Sequence, residues 1–140
     1  VKVRTRVEAL VHPTEDEAKV VAAISNVFDA KNYVKEDRGE YKVVYCEAEG
    51  MEPLEKLRNL LRRERILDAA RRMILAGRKG NTLTFYLNKQ AAYVGHASFC
   101  KPERESPLGP ITFHIECDDI DKLVDWLATK TIGGVPVDEL

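Results

Sequence analysis

The chain has little of what marks an exported, membrane-bound or disulfide-held protein. It holds three cysteines without close pairing. An odd, scattered set argues against a disulfide framework and suits a reducing cytoplasm. Hydrophobic residues make up 44% of its 140 positions, yet no apolar run approaches the ~20 residues of a membrane span. The opening Val1-Lys2-Val3-Arg4 alternates where a signal peptide would carry an apolar core, so none is visible. Glutamine is reduced to Gln90 while charged residues reach 32%, which leans towards a thermophile. No linker, repeat or low-complexity tract divides the chain. It reads as one domain over 1–140, with residues 130–140 a tail.

Catalytic and metal signatures are missing too. There is no Cys-x-x-Cys, His-Glu-x-x-His or Walker motif. His96 and Cys100 would share a strand face about 13 Å apart, too far for one ion, and His114 and Cys117 would point to opposite faces. Ser98 and Ser106 lack the Gly-x-Ser-x-Gly elbow. The expectation is a protein with no enzymatic activity, no cofactor and no metal.

What is present is a lopsided distribution of charge. Net charge is −1, but residues 54–80 carry nine Lys/Arg against three Asp/Glu, and residues 101–140 carry four against nine. A near-neutral chain with this asymmetry can still present a basic face.

Periodicity predicts an α+β fold, a mostly antiparallel sheet of about five strands with helices packed on one face. Val3, Val7, Ala9 and Val11 alternate with Lys2, Arg4, Arg6 and Glu8 in a first strand. The three cations on that second face are a candidate phosphate track and equally a solvated sheet face. Thr14 is expected to cap a helix over 15–28, with Glu17 completing a capping box. Residues 29–40 read as a loop and Tyr41–Glu49 as a second strand. Leu54, Leu57, Leu60 and Leu61 share one helical arc, while Ile66, Leu67, Ala70, Met73 and Ile74 share another. The arcs are rotated by well over a right angle at about 100° per residue, which predicts a break near Arg62–Glu64.

Leu83, Phe85 and Leu87 then alternate with Thr82, Thr84 and Tyr86 in a further strand. Residues 88–93 break that period in a short helical turn, stopped by Gly95. Asn88, Lys89 and Gln90 gather at the strand end, where they meet a ligand or simply cap a turn. Lys101–Pro110 reads as a proline-rich loop. Ile111–Cys117 is a last strand, and a final helix is capped by Asp118 or Asp119.

Arginine suits phosphate recognition better than lysine does, because its planar fork matches two oxygens at once. This makes nucleic acid the surviving binding chemistry, set against a solvated helix face with Glu64 and Asp68 as the arginines' partners. Candidate phosphate contacts are Arg62, Arg63, Arg65, Arg71, Arg72, Arg78 and Lys79, with Lys89 at the strand end. Lys2, Arg4 and Arg6 join them if their face is open, and Tyr86 is a candidate for base stacking. The RNP1 pattern of an RRM is absent. The alternative is a homodimeric interaction or assembly protein with no nucleic-acid partner, its arginines pairing with the acidic C-terminal region of a neighbour.

The segments VHPTED (11–16), RRERILDAARR (62–72), TFYLNKQAAYVGHASFC (84–100), SPLGPI (106–111) and DWLATKT (125–131) run in order over essentially the whole chain. In them the chain resembles a small archaeal family of uncharacterised proteins carrying an RNA-binding domain. Its fold is similar to that of large-subunit ribosomal protein five, which binds 5S rRNA. The resemblance implies a compact α+β fold, a cytoplasmic archaeal source, RNA as partner and a homodimer. It carries over no established active site.

Overall fold

The computed structural model describes residues 1–102 and 108–140. Its first half runs β1 (Val3–Val11), α1 (Glu17–Val27), β2 (Val34–Asp37), β3 (Lys42–Glu49), α2 (Glu55–Arg63) and α3 (Leu67–Ala76). The second half runs β4 (Arg78–Lys79), β5 (Thr82–Asn88), α4 (Lys89–Tyr93), β6 (Phe99–Cys100), β7 (Pro110–Cys117), α5 (Ile120–Leu127), β8 (Thr131–Ile132) and β9 (Val135–Pro136). Of the expected loop over Lys101–Pro110, residues 103–107, Ser106 among them, lie outside the described residues.

Strand order in the main sheet is β2-β3-β1-β7-β5-β4, with β6 added beside β5, and each described pairing is antiparallel. The period-2 alternation becomes a two-sided sheet. Val3, Val7, Ala9 and Val11 of β1, Leu83, Phe85 and Leu87 of β5, and Ile111, Phe113 and Ile115 of β7 are buried under the helices. Burying each large apolar side chain contributes roughly 1.5–3 kcal/mol. At the centre, Phe85 and Phe113 stack with centroids 4.9 Å apart, and Phe28 meets Phe113 edge-on at 5.9 Å. α1, α2, α3 and α5 contribute Ile24, Leu57, Leu61, Ile74 and Leu123 to the same core.

The main sheet has seven strands where about five were expected, and the structure departs from the sequence pattern in other places too. The cap of α1 is Asp16, which accepts from the Ala18 amide, not Thr14. Glu15 turns back to the His12 amide and to Lys89, so no capping box forms with Glu17. The expected loop over 29–40 contains the edge strand β2, whose Val-Lys-Glu-Asp sequence lacks alternation because an exposed edge need not be apolar. Residues 130–140 are not a loose tail. They form the β8–β9 hairpin, turned by Gly133 and Gly134 at φ 58° and 82°, and a 3-10 turn over Val137–Glu139.

Candidate nucleic-acid interface

The helical bend stands where the change of hydrophobic phase puts it. α2 ends at Arg63, and Glu64 is its C-cap. The Ile66 amide donates to the Leu61 carbonyl and the Arg65 amide to that of Arg62, both at 3.1 Å. This is a Schellman motif, whose left-handed position is commonly glycine. Here Arg65 fills it at φ 58°, alone among described non-glycine residues in having a positive φ. The Glu64 carboxylate leaves the joint to accept from the Ala97 amide and to meet His96 Nδ1 at 2.7 Å, tying the bend to the segment after α4.

The basic and acidic segments find each other within one chain. Arg62 forks onto Asp138, Nη1 to Oδ1 at 3.0 Å and Nη2 to Oδ2 at 2.5 Å, and lies 3.6 Å from Glu139. That paired bond raises the Arg62 guanidinium and holds the Asp138 carboxyl below the usual carboxylate range. Arg71 donates to Asp125 at 2.8 Å and to the Ala128 carbonyl at 3.0 Å. Arg78 donates to Asp121 at 2.8 Å. Arg58, not among the candidates from sequence, donates to the Trp126 carbonyl at 3.0 Å, lies 5.3 Å from the Trp126 ring centroid and reaches Asp138 at 3.5 Å. Its place one helical turn before Arg62 was the signal available in the sequence.

Arg63, Arg65 and Arg72 are left over. All three are exposed, and among the described residues none has an acidic partner within ion-pair distance. Arg65 and Arg72 line a groove of about 780 Å³ between the α2–α3 joint and the β8–β9 hairpin, with Arg62 on the same wall. The first turn of α3 faces this groove, and its cap, Ile66, provides no side-chain acceptor for the open amides. Asp68 and Glu139 also line it, and Asp68 is engaged by the Thr131 hydroxyl at 2.7 Å.

The remaining candidates lie elsewhere. Lys2, Arg4 and Arg6 are on the helix-free face of the sheet, as the alternation requires. Register there puts Glu49 and Glu116 on either side of Arg4, and Glu47 and His114 on either side of Arg6. Arg4 pairs with Glu49 at 3.7 Å; Arg6 pairs with Glu47 and Glu8 and stacks on Tyr45 at 3.8 Å. With Glu8, Glu47, Glu49 and Glu116 against Arg4 and Arg6, the middle of this face is acidic and carries no continuous phosphate track. Lys79 is exposed at the sheet's far edge, opposite Thr82. Tyr86 lies half-buried on the same face between Thr112 and Cys100. It is thus across the sheet from the helical arginines, so stacking on Tyr86 and contact with Arg65 belong to different surfaces.

Lys89 is buried. Its ammonium donates to the Leu10 carbonyl at 2.8 Å, the Leu108 carbonyl at 2.9 Å and the Glu15 carboxylate at 3.1 Å, which occupies its three protons. Burial pushes it below the usual lysine value, with Glu15 opposing. It has no proton left for a phosphate. Asn88 caps α4 by accepting from the Ala91 amide at 2.8 Å. Asn88 and Lys89 therefore build a turn that fastens β5 to β1.

Cys46, Cys100 and Cys117 are buried, and burial pushes the Cys46 thiol up to about 12. Among the described residues, no group of three or more His, Cys, Asp or Glu is placed to hold a metal, and no helix is long and apolar enough to cross a membrane.

Comparison with known proteins adds the following. A family model described as RNA binding matches residues 4–117. A UPF0201 protein of Sulfurisphaera tokodaii is 49% identical over 131 residues, which is 94% of this chain and 90% of that one. The crystal structure of a UPF0201 protein from Methanococcus jannaschii superposes with a TM-score of 0.85 at 39% identity, covering 96% of this chain and 98% of that one. A DUF54 protein from Methanothermobacter thermautotrophicus, 19% identical with a TM-score of 0.58 over 89% of this chain and 99% of that one, shares the fold alone.

Proposed function

The chain belongs to the RNA binding family, and on that premise we propose that it is a non-catalytic protein holding structured RNA by phosphate backbone and shape. The observation that carries this reading is Arg65. An exposed guanidinium occupies a left-handed backbone position that glycine would fill without strain, between the equally unpaired Arg63 and Arg72. A position that tolerates strain to keep a charge is one where the charge is used. Three guanidiniums around a helical bend suit the oxygens of successive phosphates, and an RNA helix is read mostly through its backbone and 2′-hydroxyls.

The reading extends to a fold like that of large-subunit ribosomal protein five and to work in the cytoplasm, where three buried thiols stay reduced. The alternative, a homodimeric assembly protein without a nucleic-acid partner, drew its case from arginines seeking acids on a neighbour. Arg62, Arg71 and Arg78 meet acids in their own chain, so that case loses its charge argument.

RNA affinity measured across a salt series tests the proposal. Three phosphate contacts give a log–log slope of about −2 to −3. A flat response, or no binding near physiological salt, overturns it.

A further inference from the structure

The ion pairs that remove Arg62 and Arg58 from the exposed set are unequal in how their two sides are held. On the cationic side the side chains are fixed. Arg58 is fastened to the Trp126 carbonyl and lies against its indole, and Arg62 is largely buried. On the anionic side, Asp138 and Glu139 belong to the 3-10 turn Val137–Glu139, which buries none of its own residues. The turn is anchored by the Val137 amide on the Lys130 carbonyl at 2.9 Å, and the Leu140 amide reaches back to the Val137 carbonyl at 3.4 Å. The cations are built in, whereas the carboxylates are exchangeable.

The pairing is also incomplete. A guanidinium has five protons to give, and Arg62 gives two to Asp138. Its Nε is buried with no partner among the described residues, and Glu139 stands beyond hydrogen-bond reach at 3.6 Å. A carboxylate and a backbone phosphodiester each present two charge-bearing oxygens, and both accept the same fork from arginine. From this position the groove runs on to Arg65 and Arg72, beside the uncapped first turn of α3.

We propose that Asp138 and Glu139 are internal stand-ins for phosphate, covering a subsite of Arg58 and Arg62 that continues into the groove of Arg65 and Arg72. An RNA backbone phosphate displaces them. This rests on the RNA-binding reading and adds to it two further contacts and a built-in competitor. Each displaced carboxylate takes up a cation from solution, so binding by the intact chain has a shallower salt dependence than its full set of arginines would give.

The test compares the protein with D138N/E139Q, using a fluorescent RNA stem-loop of about 20 base pairs as probe. E47Q/E49Q, which makes the same change in net charge on the acidic sheet face, serves as control, and thermal melts verify folding. The expected result is a gain of about tenfold in affinity for D138N/E139Q and a salt slope steeper by about 1–2, roughly one unit per uncovered arginine. Adding R58Q/R62Q returns the slope to that of the intact protein. Unchanged or weaker binding by folded D138N/E139Q, or an equal gain in the control, overturns the stand-in. If neither protein binds with salt dependence, the RNA reading itself fails.

Discussion

Arg65 permits an experiment in which stability and binding move in opposite directions. Its backbone sits at φ 58°, where an L-residue carries about 1–2 kcal/mol of strain from its Cβ against the following carbonyl. Glycine at that position removes the strain but gives the unfolded chain more freedom, at a cost of about 0.4–1 kcal/mol. The difference predicts that R65G stabilises the fold by about 0.5–1 kcal/mol, or about 2–4 °C in Tm for a chain of this length. The same change removes one guanidinium from the groove wall. RNA affinity falls several-fold and the salt slope becomes shallower by about 0.7–0.9. R65A separates the two effects, because it keeps the strain and loses the charge, so its Tm stays near that of the parent while its binding matches R65G. Thermal melts beside fluorescence titrations decide the matter. A lower Tm for R65G refutes the strain argument, and undiminished binding refutes the contact.

The other predictions concern what holds the interface in place. K89M leaves the nearly buried Glu15 carboxylate without its cation, costing about 3–5 kcal/mol in a denaturant titration, and E15Q/K89M recovers part of that loss. G77A forces a Cβ to within 1.8 Å of the Thr84 carbonyl oxygen, where the Gly77 carbonyl accepts from the Thr84 amide. Relief requires separating α3 from β5, so a loss of about 2–3 kcal/mol is expected, and an unchanged Tm refutes the close approach. The Asp138 carboxyl, held by Arg62 below its ordinary 3.8, stabilises the fold fully above that value and stops doing so as pH falls through the lowered one. The Tm gap between the parent and D138N therefore narrows as pH falls below 3.8, and a gap that stays constant on acidification refutes the linkage.

Elements with one buried face were legible because burial leaves a period in the sequence. β1, β5 and β7 alternate cleanly, and the break between α2 and α3 follows from two apolar arcs that no straight helix can bury together. β2 and β8–β9 left no such trace. They are short, exposed and ordered by main-chain pairing, which leaves side-chain identity nearly free. The α1 cap shows a third kind of ambiguity. Thr14 and Asp16 both offer an oxygen before a helix, and the outcome turned on Glu15, which Lys89 draws out of the helix start from 74 residues away in sequence.

The candidate site was legible only as composition. Residues 54–80 hold an excess of cations and residues 101–140 an excess of acids, and spacing cannot say whether the two meet. They do, and the meeting changes which cations are free to bind. A basic segment advertises a phosphate surface only after its internal partners are subtracted. Here Arg71 and Arg78 go to α5, Arg58 and Arg62 to the turn after β9, and Lys89 into the core. The residue that remains most informative, Arg65, is one whose position in the run gives no warning. Its distinction is a backbone angle, and it follows from the bend that the apolar phases impose two residues earlier. The hydrophobic pattern thus selects which arginine is exposed, and the charge pattern supplies the arginine.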